Sequence, residues 1–269
     1  MAEHTNGAGG EGNTGEAAHG AEAGEAAHHG PIDQFEIDRL IEMKIGGLDV
    51  SLTNSSVWML IVIVAASVFM LVGMRHRALV PGRGQSMAEM AYELVANMVR
   101  DNVGSEGRRY FPFIFSLFMF ILFANVLGLI PLSFTVTSHI IVTFALAGLI
   151  FVGVTVLGFV RHGIKFFTFF LPPGVPIFLA PLLVPIELIS YFVRPVSLSV
   201  RLAANMFAGH TMLAVFGGFV IAMGVFGIAP LIFIVAIYGL EAIVAVLQAY
   251  VFAVLTCLYI SDALHMHQH

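Results

Sequence analysis

Charge is the scarcest commodity in this sequence, and it is unevenly spread. Charged side chains make up 11% of the 269 residues, against about a quarter in a soluble domain. Between Tyr110 and Ile260 only six remain: Arg161, Lys165, Glu187, Arg194, Arg201 and Glu241. No water-soluble fold of this size covers its surface with so few. Cysteine is nearly missing too. The single Cys257, set in an apolar run, excludes a disulfide framework and a thiolate metal cluster. No Gly-x-x-x-x-Gly-Lys-Ser/Thr segment is present to cradle a nucleotide phosphate, and no residue set calls for a metal or an organic cofactor. No period of 20–50 residues repeats, which argues against a solenoid. The net charge of −5 comes from acids near the N-terminus and carries no sign of a nucleic-acid partner. That N-terminal segment lacks the basic start and apolar stretch of a secretory leader, and it is acid-rich where an organelle transit peptide is Arg-rich.

Apolar residues, at 58%, fill the space the charges leave. The chain therefore reads as an all-α polytopic membrane protein with about five membrane helices and one surface amphipathic helix. Residues 1–30 are Gly, Ala, Glu and His, too poor in large apolar groups to offset their ordering entropy, and read as a disordered acidic tail. Its four histidines read as low-complexity composition rather than a metal site. Residues 31–56 form an amphipathic lead-in, 57–262 the membrane domain and 263–269 a short tail carrying His265, His267 and His269. Val57–Met74 is uncharged, opens with Trp58 as an interfacial anchor and is long enough to span. Ser86 and Glu89 have the spacing of a capping box, and Met87, Ala91, Leu94 and Met98 fall on one stripe of the helix it opens, which should lie along the membrane surface.

Tyr110–Val160 has no charge, and Pro131 with the polar stretch Ser133–His139 divides it into two spans. Five prolines between Phe166 and Ile186 predict an irregular segment. Two helices of more than about 30 residues follow, from about Pro185 to Phe216 and from Pro230 to about Ser261, separated by a Gly-rich stretch; their length calls for tilt or bending. Basic clusters at 75–83, 100–109 and 161–165 place those ends in the cytoplasm, with the N-terminus outside and the C-terminus cytoplasmic.

A charge inside an apolar helix is a functional candidate by default, because it costs several kcal/mol in lipid. Glu187, Arg194 and Arg201 are spaced by seven and share a face, Asn205 extends it by four, and Ser190 and Ser197 line its edge. The last helix presents Glu241 and Gln248, again seven apart. His210, nine residues beyond Arg201, points about 180° away from the arginine stripe at about 100° per residue. Two separate polar surfaces on one apolar helix suit two disconnected proton paths flanking a fixed positive charge. Plainer readings stand beside this one. Arg194, near the helix start and beside Pro195, reads as an interfacial snorkelling arginine. Glu187 reads equally as a helix-start acid, and His210 with Glu241 as a structural pair across a hairpin. Arg201, at mid-helix, is out of reach of snorkelling. Ala242, Ala245, Ala249 and Ala253, and Ala203, Ala204, Ala208 and Gly209 around the arginine, would allow close helix approach or serve ordinary packing within the chain.

Ser197-Leu-Ser-Val-Arg-Leu-Ala-Ala-Asn205, continued by Met206-Phe-Ala-Gly-His210 and by Leu247-Gln-Ala-Tyr-Val-Phe252, resembles the a subunit of the membrane sector of F-type ATP synthases. Weaker similarity runs from about residue 50 to 262 and includes Asn125-Val-Leu-Gly-Leu-Ile-Pro131. The resemblance implies a steeply tilted hairpin of the last two helices against a rotor ring of c subunits. Peripheral-stalk b subunits, the remaining synthase complex and membrane lipid are the other implied partners. By position it implies that Arg201 is the stator arginine, with Asn205 one turn on. It also implies that Glu187 lines the cytoplasmic half-channel, and that His210, Glu241 and Gln248 belong to the half-channel open to the other side. Relatives of one common bacterial form carry acid and imidazole in reversed positions; His210 and Glu241 follow the mitochondrial-type order. The implied setting is a bacterial inner membrane, and the implied role is proton translocation without ATP chemistry in this chain. A secondary ion-coupled transporter or a membrane scaffold remain as alternatives. The first would show related halves, which are missing here, and the second has no need of mid-helix charges.

Overall fold

The computed structural model describes residues 39–41, 44–45, 48–49, 52–75, 82–130, 135–163, 166 and 177–264. The acidic tail, Lys165, most of the proline-rich segment and the C-terminal histidines lie outside the described residues. Ahead of the bundle, β1 (Arg39–Ile41) pairs antiparallel with β4 (Leu52–Thr53), and β2 (Lys44–Ile45) with β3 (Leu48–Asp49), one hairpin nested in the other. Beyond Thr53 the regular structure among the described residues is helical, an all-α polytopic membrane bundle.

Helix α1 (Asn54–Gly73) begins three residues before Val57, because the Thr53 side chain accepts from the Ser56 backbone N–H at 3.4 Å and caps it. Helix α2 (Arg83–Val103) also starts early, from Gly82. The Ser86 N–H already donates to Gly82 O at 2.9 Å, so the expected capping box has no orphan donor to satisfy; Gln85 bonds Glu89 instead, at 2.7 Å. The expected apolar stripe of α2 is corrected as well. Ala88, Val95, Met98 and Val99 pack inward, whereas Met87, Met90 and Leu94 are exposed. Glu89, Glu93, Asn97, Arg100 and Asp101 are exposed as well, so the outward face of α2 mixes apolar side chains with polar and charged ones.

Helices α3 (Phe111–Gly128) and α4 (Ile140–His162) are the two spans divided at the Pro131 region. Helices α5 (Ala180–Met223) and α6 (Ile228–Leu264) run 44 and 37 residues, longer at both ends than the sequence suggests. At about 1.5 Å per residue they measure about 66 and 56 Å, roughly twice the hydrocarbon thickness. Gly217 and Gly218 stay helical, since leaving the helix in an apolar medium would unpair backbone groups. The break falls at a tight turn over Gly224–Gly227, where Gly224 takes a φ of +54° that a side chain would strain. Pro185 and Pro195 sit inside α5.

The α5–α6 hairpin packs along its length, with α3 laid on α6 and α4 on α5. Ile114, Ile121, Ile150, Leu202 and Phe252 fill the centre. Ala245, Ala249 and Ala253 are fully buried in this chain's own core, so that part of the small-residue pattern is internal packing. Three contacts gather charge at one end of the bundle. Arg161 pairs with Glu106, His162 Nε2 lies 3.1 Å from Ala263 O, and Arg194 pairs with Asp262 at 3.0 Å. The opposite end carries the short turn Val136–Ser138, which begins α4.

Candidate functional site

The hairpin joins four of the sequence-predicted residues as two separate pairs, Gln248 with the Arg201 backbone and His210 with Glu241, and leaves other side chains facing outward. Arg201 lies at the middle of α5, about 30 Å of helix from either end. Its side chain is exposed on the outside of the bundle and makes no ion pair with any described residue. Ala204, Asn205 and Ala208 are exposed beside it, so small residues lie next to the guanidinium. On the inner side, Gln248 Nε2 donates to the Arg201 carbonyl at 2.9 Å. Gln248 is 6% exposed and locks the register of the two helices at the level of the arginine.

Two turns further along α5, His210 faces α6. Its Nε2 lies 3.5 Å from Glu241 Oε1, with the imidazole side chain 14% and the carboxylate side chain 4% exposed. Both carboxylate oxygens are buried and receive no hydrogen bond from the described residues. Native structures contain few such atoms, and those present tend to mark functional places. Space for the carboxylate comes from Gly209: a Cβ there would stand 2.6 Å from Glu241 Oε1 and 2.8 Å from its Cδ.

Polar groups from the Ser133–His139 divider and the Asn125–Pro131 motif, together with Tyr238, complete this end. Thr135, 4% exposed, places its Oγ1 3.0 Å from His210 Nε2 and donates to Gly128 O at 3.3 Å. Asn125 Nδ2 donates to Ala245 O at 3.1 Å, and Tyr238 OH to Leu129 O at 3.1 Å. His139, at the start of α4, is held below the ordinary histidine pKa by burial. The available signal was the density of Thr, Ser and His within 133–139, between two uncharged runs.

Glu187 is half-buried near the other end of α5, about 21 Å of helix from Arg201. Ser190 and Ser197 are exposed. Arg194, read from the sequence as an interfacial arginine, pairs with Asp262 and lies over the Tyr259 ring, 5.6 Å from its centroid. Asp262 went unremarked in the sequence because nothing there shows that the end of α6 returns to the level of residue 194. Among the described residues no group of His, Cys, Asp and Glu has the arrangement of a metal site.

A family profile described as ATP synthase A chain matches residues 56–261. The chain is 59% identical over 242 residues to a protein named ATP synthase subunit a from Parvibaculum lavamentivorans, covering 87% of this chain and 93% of that relative. It is 57% identical over 244 residues to the protein of that name from Paramagnetospirillum magneticum, with 88% and 99% covered. It is 54% identical over 240 residues to that from Rhodospirillum rubrum, with 89% and 100% covered.

Proposed function

From the premise that this chain belongs to the ATP synthase A chain family, we propose that it is the proton-translocating stator of the complex, with Arg201 as its fixed charge. It is a bacterial membrane protein and a component of ATP synthase. The observation that carries the proposal is the exposed guanidinium in the middle of a long apolar helix, with no ion pair among the described residues. In lipid that arrangement costs several kcal/mol, so the surface is built for a partner bearing negative charge within the membrane. Carboxylates on a rotor ring of c subunits supply it. A guanidinium stays charged and does not relay protons; it favours the ionised carboxylate facing it. Neutral, protonated ring sites travel through lipid, and ionised ones stop at Arg201.

Protons reach the ring by two offset routes. His210 and Glu241 form the route on one side, since an imidazole beside a carboxylate exchanges protons near neutrality. Glu187 serves the route on the other, with Ser190 and Ser197 along its edge and Asn205 beside the arginine. The charged end of the bundle is cytoplasmic by its arginines, which puts the His210 end toward the outside of the inner membrane. Peripheral-stalk b subunits hold the chain against the turning ring.

The test is Arg201→Ala in the assembled complex. ATP-driven pumping and proton-driven synthesis are expected to fall to background with the ring still copurifying. Lysine should rescue poorly, because a compact ammonium lacks the planar fork. Coupled synthesis at the normal rate in the alanine variant overturns the assignment.

A further inference from the structure

We infer that Thr135 is a positioning residue for the outer proton route, acting through His210; the inference rests on the reading of His210 and Glu241 given above. The hydroxyl of Thr135 has one proton, and it is directed at Gly128 O, 3.3 Å away. Toward His210 Nε2, 3.0 Å away, the same oxygen is then an acceptor. With the hydroxyl proton on Gly128 O, the imidazole proton belongs on Nε2, the nitrogen that also stands 3.5 Å from Glu241 Oε1. Thr135 therefore holds the proton-bearing edge of the ring against the carboxylate.

The threonine is itself held from several directions. Its carbonyl accepts from Ser138 Oγ at 2.7 Å and from Ser138 N at 3.2 Å, which pins the backbone of the turn. Gly128 admits its side chain: a Cβ at 128 would lie 2.9 Å from Thr135 Cγ2 and 3.3 Å from Oγ1. A hydroxyl so placed serves both directions of transfer. When a proton arrives at Nδ1, the Nε2 proton passes to the Glu241 carboxylate, through one bridging water or as the pair closes from 3.5 Å, giving a neutral acid and a neutral imidazole protonated on Nδ1. Thr135 then rotates its own proton from Gly128 O toward the bare Nε2. Reversal restores the first arrangement, and no proton is created or lost.

Alanine and serine at 135 differ by the hydroxyl alone, and valine keeps the shape of threonine without it. Proton pumping by the purified, reconstituted synthase, normalised to assembled complex, should fall about five- to tenfold for Thr135→Ala and Thr135→Val, the worth of one hydrogen bond. Thr135→Ser should keep most of the rate. In a His210→Ala background, which by itself should slow pumping strongly, the residual flux should be the same with Thr or Ala at 135. Wild-type pumping in Thr135→Ala overturns the inference while leaving the His210 reading intact, provided His210→Ala is slow. An equal further loss from Thr135→Ala in the His210→Ala background also overturns it, because the threonine would then act elsewhere. Normal pumping by His210→Ala alone removes the reading on which the inference stands. Should valine prevent assembly, the alanine–serine comparison decides.

Discussion

Replacing Gly209 by alanine puts one methyl group where the Glu241 side chain now lies. The new Cβ would stand 2.6 Å from Oε1, 2.8 Å from Cδ and 3.2 Å from Cγ. Ordinary contact begins near 3.4 Å, so the carboxylate must withdraw by about 0.8 Å, and the contact at Cγ means that the whole outer side chain swings. The helices are less free to separate, because Ala245 and Ala249 are fully buried one and two turns along α6. Glutamate is flexible beyond Cβ, so the folding cost should stay at the low end of the 1–3 kcal/mol typical of an overpacked methyl.

Function has less slack. His210 Nε2 and Glu241 Oε1 are already 3.5 Å apart, whereas direct proton exchange works at about 2.6–3.2 Å or through one water. Misplacement by about an ångström can cost a hundredfold. Gly209→Ala is therefore expected to assemble at near-normal yield and to pump protons about 10–100-fold more slowly. Glu241→Asp, one methylene shorter, should relieve the clash and recover part of the rate in the double variant. Pumping is read from dye quenching in vesicles, with assembly quantified on the same sample. A Gly209→Ala enzyme that pumps at the wild-type rate would refute the argument, since the carboxylate would then tolerate displacement from the histidine.

The pairing can be probed by exchange: His210→Glu with Glu241→His should recover part of the flux that each single change removes, and a double variant no faster than the slower single one counts against direct pairing. The two-route geometry predicts that cysteine at 187 reacts with a hydrophilic thiol reagent from the cytoplasm and cysteine at 210 or 241 from the outside, in a Cys257→Ser background; one reagent reaching all three sites from one side would indicate a continuous pore.

The fold was legible in the sequence wherever the bilayer dictates it. Uncharged runs, their proline and polar dividers and the basic clusters follow from solvation, which acts on each segment separately. Boundaries were read less well for the same reason. Thr53, Gly82 and Gly224 move helix ends through local hydrogen bonds and backbone angles that hydropathy does not register. Glu187, Arg201, His210 and Glu241 stood out because each breaks an apolar run. Thr135 and Asp262 did not, since their importance lies in what a distant segment brings to them: His210 is 75 positions from one, and Arg194 is 68 from the other. A lone polar residue in a turn or at a helix end is unremarkable until the hairpin closes.

The separation of the two proposed routes has a physical basis in the layer at residue 201. His210 is about 14 Å of helix from Arg201, and Glu187 about 21 Å on the other side. A proton crossing between them inside the chain would have to pass Leu202, Met206, Ala245, Ala249 and Phe252, each at most 1% exposed. Gln248 closes the polar gap in that layer by spending its amide on the Arg201 carbonyl. Carrying an unpaired charge through such a region costs far more than thermal energy supplies. The remaining way round is along the outer surface, where Arg201 is exposed between Ala204, Asn205 and Ala208. In the proposed mechanism a ring carboxylate travelling over that surface takes a proton on one side and releases it on the other, while the guanidinium repels a free proton attempting the direct step. On that proposal coupling depends on the same packing that seals the interior, and a cavity opened at Leu202 or Phe252 should let protons leak without turning the ring.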